Sequence, residues 1–197
     1  MAIAGSPAVA PPPLLSGAGP RQVAMSLPHR PAGPLTGFDG AERLARPGLV
    51  TTALQLAARA PSWPGMTSPS HRCWDLMAAS DAFEAWVIAW PPGGAIELHD
   101  HGGSAGAVVV AAGKLLETSV VDQTSGGVAL QTTAIAVGRH ISFGGRHVHD
   151  IVNAGETPAI SVHVYAPRLT SMTYYRFTDG VLHARDTIHG QLATAVA

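Results

Sequence analysis

The chain has 197 residues, 46% hydrophobic and 13% charged, with 12 Lys and Arg against 13 Asp and Glu and a formal net charge of -1. This length fits one well-buried core better than two, and an even charge balance without like-charge runs gives nucleic acid and anionic membranes no electrostatic handle. The lone cysteine, Cys73, excludes an intramolecular disulfide and a Cys-rich zinc site, which fits a reducing cytoplasm; Gly, Pro or a charge breaks every apolar run short of the roughly 18 residues that a membrane span needs.

In chain order, residues 1–34 hold half of the 16 prolines among Ala, Gly and Ser, without a sustained hydrophobic period. This composition predicts a disordered tail over residues 1–35, ahead of a single domain over 36–197. A secretory signal is a poor fit, because no basic residue precedes Arg21 and Pro11, Pro12 and Pro13 fall where an apolar segment should run.

Between residues 40 and 60, Leu44, Leu49, Ala53, Leu56 and Ala57 recur at helical spacing, with Pro47 tolerated in a first turn and Pro61 as a stop. A short helix packed on the outside of the main body is expected there. From Phe83 onward the pattern changes to short segments rich in β-branched and aromatic residues: 83–90, 105–110, 115–121, 134–137 and 159–165. Each is bounded by Gly-, Pro- or Asn-containing turns, with no helices between, which predicts an all-β sandwich or barrel and argues against a parallel α/β sheet.

Two histidine clusters carry the chemistry. In Glu97-Leu98-His99-Asp100-His101, alternate residues of a strand end face one way, so His99 and His101 project together and Asp100 faces away. His147-Val148-His149-Asp150 follows about 50 residues on and offers a third imidazole from a returning strand. Three imidazoles with open positions suit iron, copper, nickel or zinc, and no convergent carboxylate is evident that would favour magnesium or calcium.

These clusters resemble the two spaced signatures of the cupin superfamily, a jelly-roll antiparallel β-barrel. Gly93, His99, His101 and Gly113 match the first, whose Glu falls at Ala105 or Gly106 and is missing; Gly138, His149 and Asn153 match the second, where Gly144 and Arg146 depart from its Pro and Gly. The resemblance selects His99, His101 and His149 as ligands and leaves His147 as a neighbour. Over roughly residues 70–175 the chain is similar to the cysteine dioxygenase type I family of thiol dioxygenases, and to its bacterial members in particular. The likeness rests on Trp86-Val-Ile-Ala-Trp90-Pro-Pro-Gly, His99-Asp-His101-Gly-Gly-Ser-Ala-Gly, Gly144-Gly-Arg-His-Val-His149-Asp-Ile-Val-Asn and Ser161-Val-His163-Val-Tyr165.

That family implies an iron(II) cofactor and a small thiol, L-cysteine first and 3-mercaptopropionate as the alternative, oxidised by dioxygen to its sulfinic acid. It implies a relay of Ser161, His163 and Tyr165 with the tyrosine hydroxyl over the metal, although residues alternating on a strand can also be hydrogen-bonded polar groups of the barrel. The cysteine that some members cross-link to this tyrosine is Gly106 here, and Cys73 reads as an inert buried thiol. Arg72 is the candidate for the substrate carboxylate, with Arg168 in reserve. Trp86, Trp90, Val108 and Tyr174 either wall the site or fill the core. A cupin holding another metal, or a non-catalytic one that binds a small molecule, keeps the same barrel; the oligomeric state, monomer or small homo-oligomer, is not written in these residues.

Overall fold

The computed structural model describes residues 46–122 and 127–190; the predicted tail over 1–35 and Leu44 lie outside the described residues. Among the described residues helix α1 (Arg46–Ala57) comes first, and eleven strands follow: β1 (Cys73–Ala79), β2 (Glu84–Trp90), β3 (Ala95–His99), β4 (Ala105–Ala112), β5 (Lys114–Asp122), β6 (Val128–Ala136), β7 (His140–Phe143), β8 (His149–Val152), β9 (Ala159–Ala166), β10 (Ser171–Thr178) and β11 (Val181–His189). Apart from the consecutive pairs β1–β2, β5–β6 and β10–β11, strands that neighbour in space come from distant parts of the chain. One sheet runs β1-β2-β9-β4-β7 and the other β11-β10-β3-β8-β5-β6, with the assigned strand pairs antiparallel. This is the all-β jelly-roll of the cupin type that the sequence predicts.

The core has two parts, one on each side of the five-stranded sheet. On the outer face Leu49, Ala53 and Leu56 of α1 pack on Ala85, Val87, Ala107, Val109, Val162 and Val164, where the alanines let the helix come close to the sheet. Between the sheets lie Ile88, Trp90, Val108, Val110, Leu115, Ile135, Phe143 and Ile151. A sheet covered on both faces requires strands that are apolar nearly throughout, as Glu84-Ala-Trp-Val-Ile-Ala-Trp90 and Ala105-Gly-Ala-Val-Val-Val-Ala-Ala112 are. Each Val or Ile side chain taken from water there contributes about 1.5–3 kcal/mol, the alanines less.

The helix lies where the spacing of its apolar residues predicts, on the outside of the sandwich. Strand β6 differs: it starts at Val128, not near residue 134, and ends before Val137, which is 58% exposed. Its first two-thirds face solvent or are only partly buried, so no inward apolar period marks them. The β10–β11 hairpin was not expected for the same reason, β11 being mostly exposed. No helix among the described residues is long and apolar enough to cross a membrane.

Candidate metal centre

His99 is the last residue of β3 and His149 the first of β8, and the two are direct partners in the antiparallel register. His101 lies just beyond β3, in a turn that brings its ring back over the same spot. That turn needs Gly102 and Gly103, whose φ angles are +58° and +91°, and a Cβ on Gly102 would collide with Ser171. Asp100 faces away, as expected, and ties the turn to β10: its Oδ1 accepts from the Gly102 and Thr173 backbone N–H, each at 3.0 Å, and its Oδ2 from the Tyr175 hydroxyl at 2.7 Å.

The three rings close a triangle with centroid separations of 4.9, 4.9 and 5.0 Å, and ligand nitrogens within 4.8 Å of one another. All three are buried. Burial holds each in the neutral form, pushing the pKa of His99 down to about 4 and those of His101 and His149 well below 6.5, with the neighbouring imidazoles adding to the last two. Neutral imidazole is the form that ligates metals.

Hydrogen bonds fix two of the tautomers. His99 Nδ1–H donates to the Glu97 carbonyl at 2.7 Å, and His149 Nδ1–H donates to Glu117 Oε1 at 2.8 Å, which leaves the Nε2 lone pair of each free. His149 Nε2 and both nitrogens of His101 are buried without a hydrogen-bond partner. Orphaned buried nitrogens cost about 1–3 kcal/mol each, a cost that a metal ion between them would offset, so the donor set fits such an ion. His101 is placed by stacking instead, between Phe143 at 4.8 Å and Tyr165 at 5.1 Å.

Glu117 corrects the expectation that no carboxylate converges here. It is 5% exposed, and its Oε1 accepts from both His149 Nδ1 and His147 Nε2 at 2.8 Å. These contacts are charge-assisted hydrogen bonds, which place the carboxylate behind His149. The signal for it was present in the sequence: Glu117 lies two residues after Leu115, and so on the strand face that buries that leucine.

Opposite the histidines, the interior of β9 presents Ser161, His163 and Tyr165, all buried and linked in series: Ser161 Oγ to His163 Nε2 at 2.9 Å, and His163 Nδ1 to the Tyr165 hydroxyl at 3.1 Å. Trp90 extends the chain, its indole N–H donating to Ser161 Oγ at 2.8 Å. Indole only donates and takes one of the two acceptor sites of Ser161 Oγ. With the serine proton on His163 Nε2, His163 Nδ1–H donates to Tyr165 and the phenolic proton is left for a further acceptor, whereas the other tautomer has Nε2–H donating to Ser161 and Tyr165 donating to Nδ1. Burial pushes the His163 pKa down to about 3 and raises that of Tyr165, with the charge of Glu84 adding to the latter. A Cβ at Gly106 would lie 2.5 Å from the Phe143 ring and 3.1 Å from that of Tyr165, so Phe143 occupies the room that a cross-linking cysteine side chain would need.

The two arginine candidates separate. The Arg72 guanidinium lies 5.5 Å from the ring centres of Trp74 and Trp90, is itself made less basic by burial, and adds to the depression that burial imposes on His99 and His163. Arg168 is 50% exposed at its side chain and turned to Glu84, 3.4 Å away. Tyr174, directly opposite His99 in register, and Trp86 are partly buried against the core between the sheets, whereas Trp90 and Val108 are fully buried in it. Cys73 is half-buried, not buried as expected, and desolvation raises its thiol pKa.

Jelly-roll architecture with three buried imidazoles converging at strand ends defines a cupin with a candidate metal site. The chain belongs to the cysteine dioxygenase type I family, which matches residues 62–178. No curated protein matches it. Among solved structures it is similar to TT1209 from Thermus thermophilus, with 21% identity over 51% of this chain and 88% of that one at a TM-score of 0.43. Oxalate oxidase in complex with glycolate shares 18% identity over 51% of this chain, at a TM-score of 0.43, and the match spans only 53% of that protein. KdgF from Halomonas sp. shares 14% identity over 51% of this chain and 82% of that one, also at a TM-score of 0.43.

Proposed function

We propose that the protein is a non-haem iron(II) thiol dioxygenase that converts a small carboxylate-bearing thiol, L-cysteine first, to its sulfinic acid. The observation that carries this reading is a set of three buried imidazoles, with no carboxylate in the set, facing a Trp90–Ser161–His163–Tyr165 hydrogen-bond chain. His99 and His149 would hold the ion through Nε2, and His101 through a ring nitrogen. Iron(II) held there supplies the redox chemistry that adds both atoms of dioxygen to sulfur, R–SH + O₂ giving R–SO₂H.

The protein's own groups supply position and protons. Three neutral ligands bring no charge, so charge neutralisation falls to the incoming thiolate. Arg72, stacked near Trp74 and Trp90, offers a planar fork for the substrate carboxylate. Tyr165, like any tyrosine, is protonated at neutral pH, and burial raises its pKa further; its hydroxyl donates to an oxygen of the bound reactants. The buried apolar side chains around the centre keep bulk water away from sulfur.

The test is anaerobic iron(II) loading followed by oxygen uptake with cysteine, 3-mercaptopropionate and cysteamine in parallel, beside a His149→Ala control. The expected result is uptake and a sulfinate product with a carboxylate-bearing thiol, little with cysteamine, and none in the control. Uptake with 3-mercaptopropionate in preference to cysteine would reassign the substrate. Iron binding without uptake on any thiol would overturn the reaction in favour of a cupin that binds a small molecule or acts on carbon.

A further inference from the structure

We propose that Glu117 is a positioning residue of the metal centre, one carboxylate that sets two of the three ligands: His149 by a direct hydrogen bond and His101 through His147 and Phe143. The inference rests on the metal site proposed above and concerns how that site is held.

Glu117 sits on the inward face of β5 behind Leu115, nearly shut off from water. Burying a carboxylate is costly unless donors compensate it, and here two imidazole N–H groups meet the same oxygen, each at 2.8 Å. The first fixes His149 with its Nδ1 protonated, so that Nε2 is the ligating atom. It also sets a negative charge against the ring, which strengthens the ring as a donor in a ligand set that carries no charge itself.

The second bond acts at longer range. His147, anchored to Glu117, stacks on Phe143 at 4.5 Å and 15°, and Phe143 stacks in turn on His101 at 4.8 Å and 26°. The ring nitrogens of His101 have no hydrogen-bond partner, so this stack and Tyr165 are what orient the ring. His99 stands apart, held by the Glu97 carbonyl of its own strand. Loss of Glu117 would therefore loosen two corners of the triangle and leave the third in place.

The experiment compares wild type with Glu117→Gln and Glu117→Asp in anaerobic titrations with cobalt(II) and iron(II), reading the dissociation constant, the ligand-field spectrum of the cobalt form and the thermal midpoint of the metal-free protein. Glu117→Gln keeps the volume and removes the charge; it is expected to weaken metal binding about ten- to a hundredfold and shift the cobalt spectrum, while the metal-free protein melts no lower than wild type. Glu117→Asp, which keeps the carboxylate, is expected to recover part of the affinity. Should Glu117→Gln fail to fold, His147→Leu at a position whose side chain is 20% exposed takes its place, with a smaller loss of affinity expected. Wild-type affinity and spectrum in the variant that folds would overturn the proposal, and so would a wild type that binds neither metal. Intact metal binding without thiol oxidation would overturn the reaction and leave the role of Glu117 standing.

Discussion

The six-stranded sheet brings its histidines together at strand ends, His99 closing β3, His149 opening β8 and His101 in the turn beyond, whereas the five-stranded sheet carries Ser161, His163 and Tyr165 inside β9, a strand buried along all eight residues. Convergence at strand ends depends on particular supports: the glycine turn after His101, the Glu97 carbonyl, the Glu117 carboxylate. Convergence along β9 needs only the pleat. Ile160, Val162 and Val164 face helix α1 on one side, and the three polar residues face the interior on the other, in reverse of the usual amphipathic strand. One half of the centre should thus govern metal affinity and the other the rate of reaction, and substitutions in the two halves should fail in different ways.

Removing a ligand is the harshest way to break this division. His149→Ala is expected to lose metal binding and all oxygen uptake, measured by metal analysis and an oxygen electrode, and to leave the β9 chain formed. Tyr165→Phe tests the other half: kcat should fall roughly a hundredfold, the scale of a positioned proton donor, while the metal dissociation constant is unchanged. A Tyr165→Phe protein that also lost its metal would show that the two halves are one unit, coupled through the phenolic hydroxyl, since phenylalanine keeps the ring that stacks on His101.

Acid separates metal-free from metal-loaded protein. Imidazoles with folded pKa values of about 4 and about 3, as at His99 and His163, stay neutral while the unfolded chain protonates near 6.5. Their contribution to stability is complete above about pH 6.5 and is lost as the pH falls toward their folded values, at up to about 1.4 kcal/mol per pH unit for each group. Metal-free protein in urea titrations from pH 7 to 4 should therefore lose stability steeply. His163→Asn should flatten that slope, and bound metal should move the loss to lower pH until acid displaces the ion.

Much of this was legible in the sequence because it follows a period. The His99/His101 pair and the Ser161/His163/Tyr165 alternation recur at every second residue, the apolar strands stand out as continuous runs between turn residues, and α1 follows helical spacing, while the roles of the site residues came from the family resemblance. What escaped was set by context. Val128 to Thr133 face solvent or are partly buried, without an inward apolar period, and β11 has almost no buried side to betray it. Glu117 can be placed on the inward face of Leu115 from its spacing, but what it holds is decided only by β8, which brings His149 beside it. Phe143 and Gly106 carry no signal of their own; their fit is a matter of 2.5 Å between two strands, β4 and β7.

Trp90 gives the finest test, since it belongs to the β9 network without touching the histidine triangle. Its indole N–H takes one of the two acceptor sites of Ser161 Oγ, which favours the serine proton on His163 Nε2, the ring proton on Nδ1 and a free phenolic hydrogen on Tyr165. With phenylalanine at position 90 that acceptor site is open and the balance moves toward His163 Nε2–H donating to the serine; Nδ1 then becomes an acceptor and draws the Tyr165 proton away from the reacting centre. A neutral hydrogen bond is worth about 1 kcal/mol, so kcat should fall roughly fivefold, with metal affinity at the wild-type value. Steady-state rates beside a metal titration check this, and a change in metal affinity with kcat intact would place Trp90 with the ligands and undo the division between the sheets.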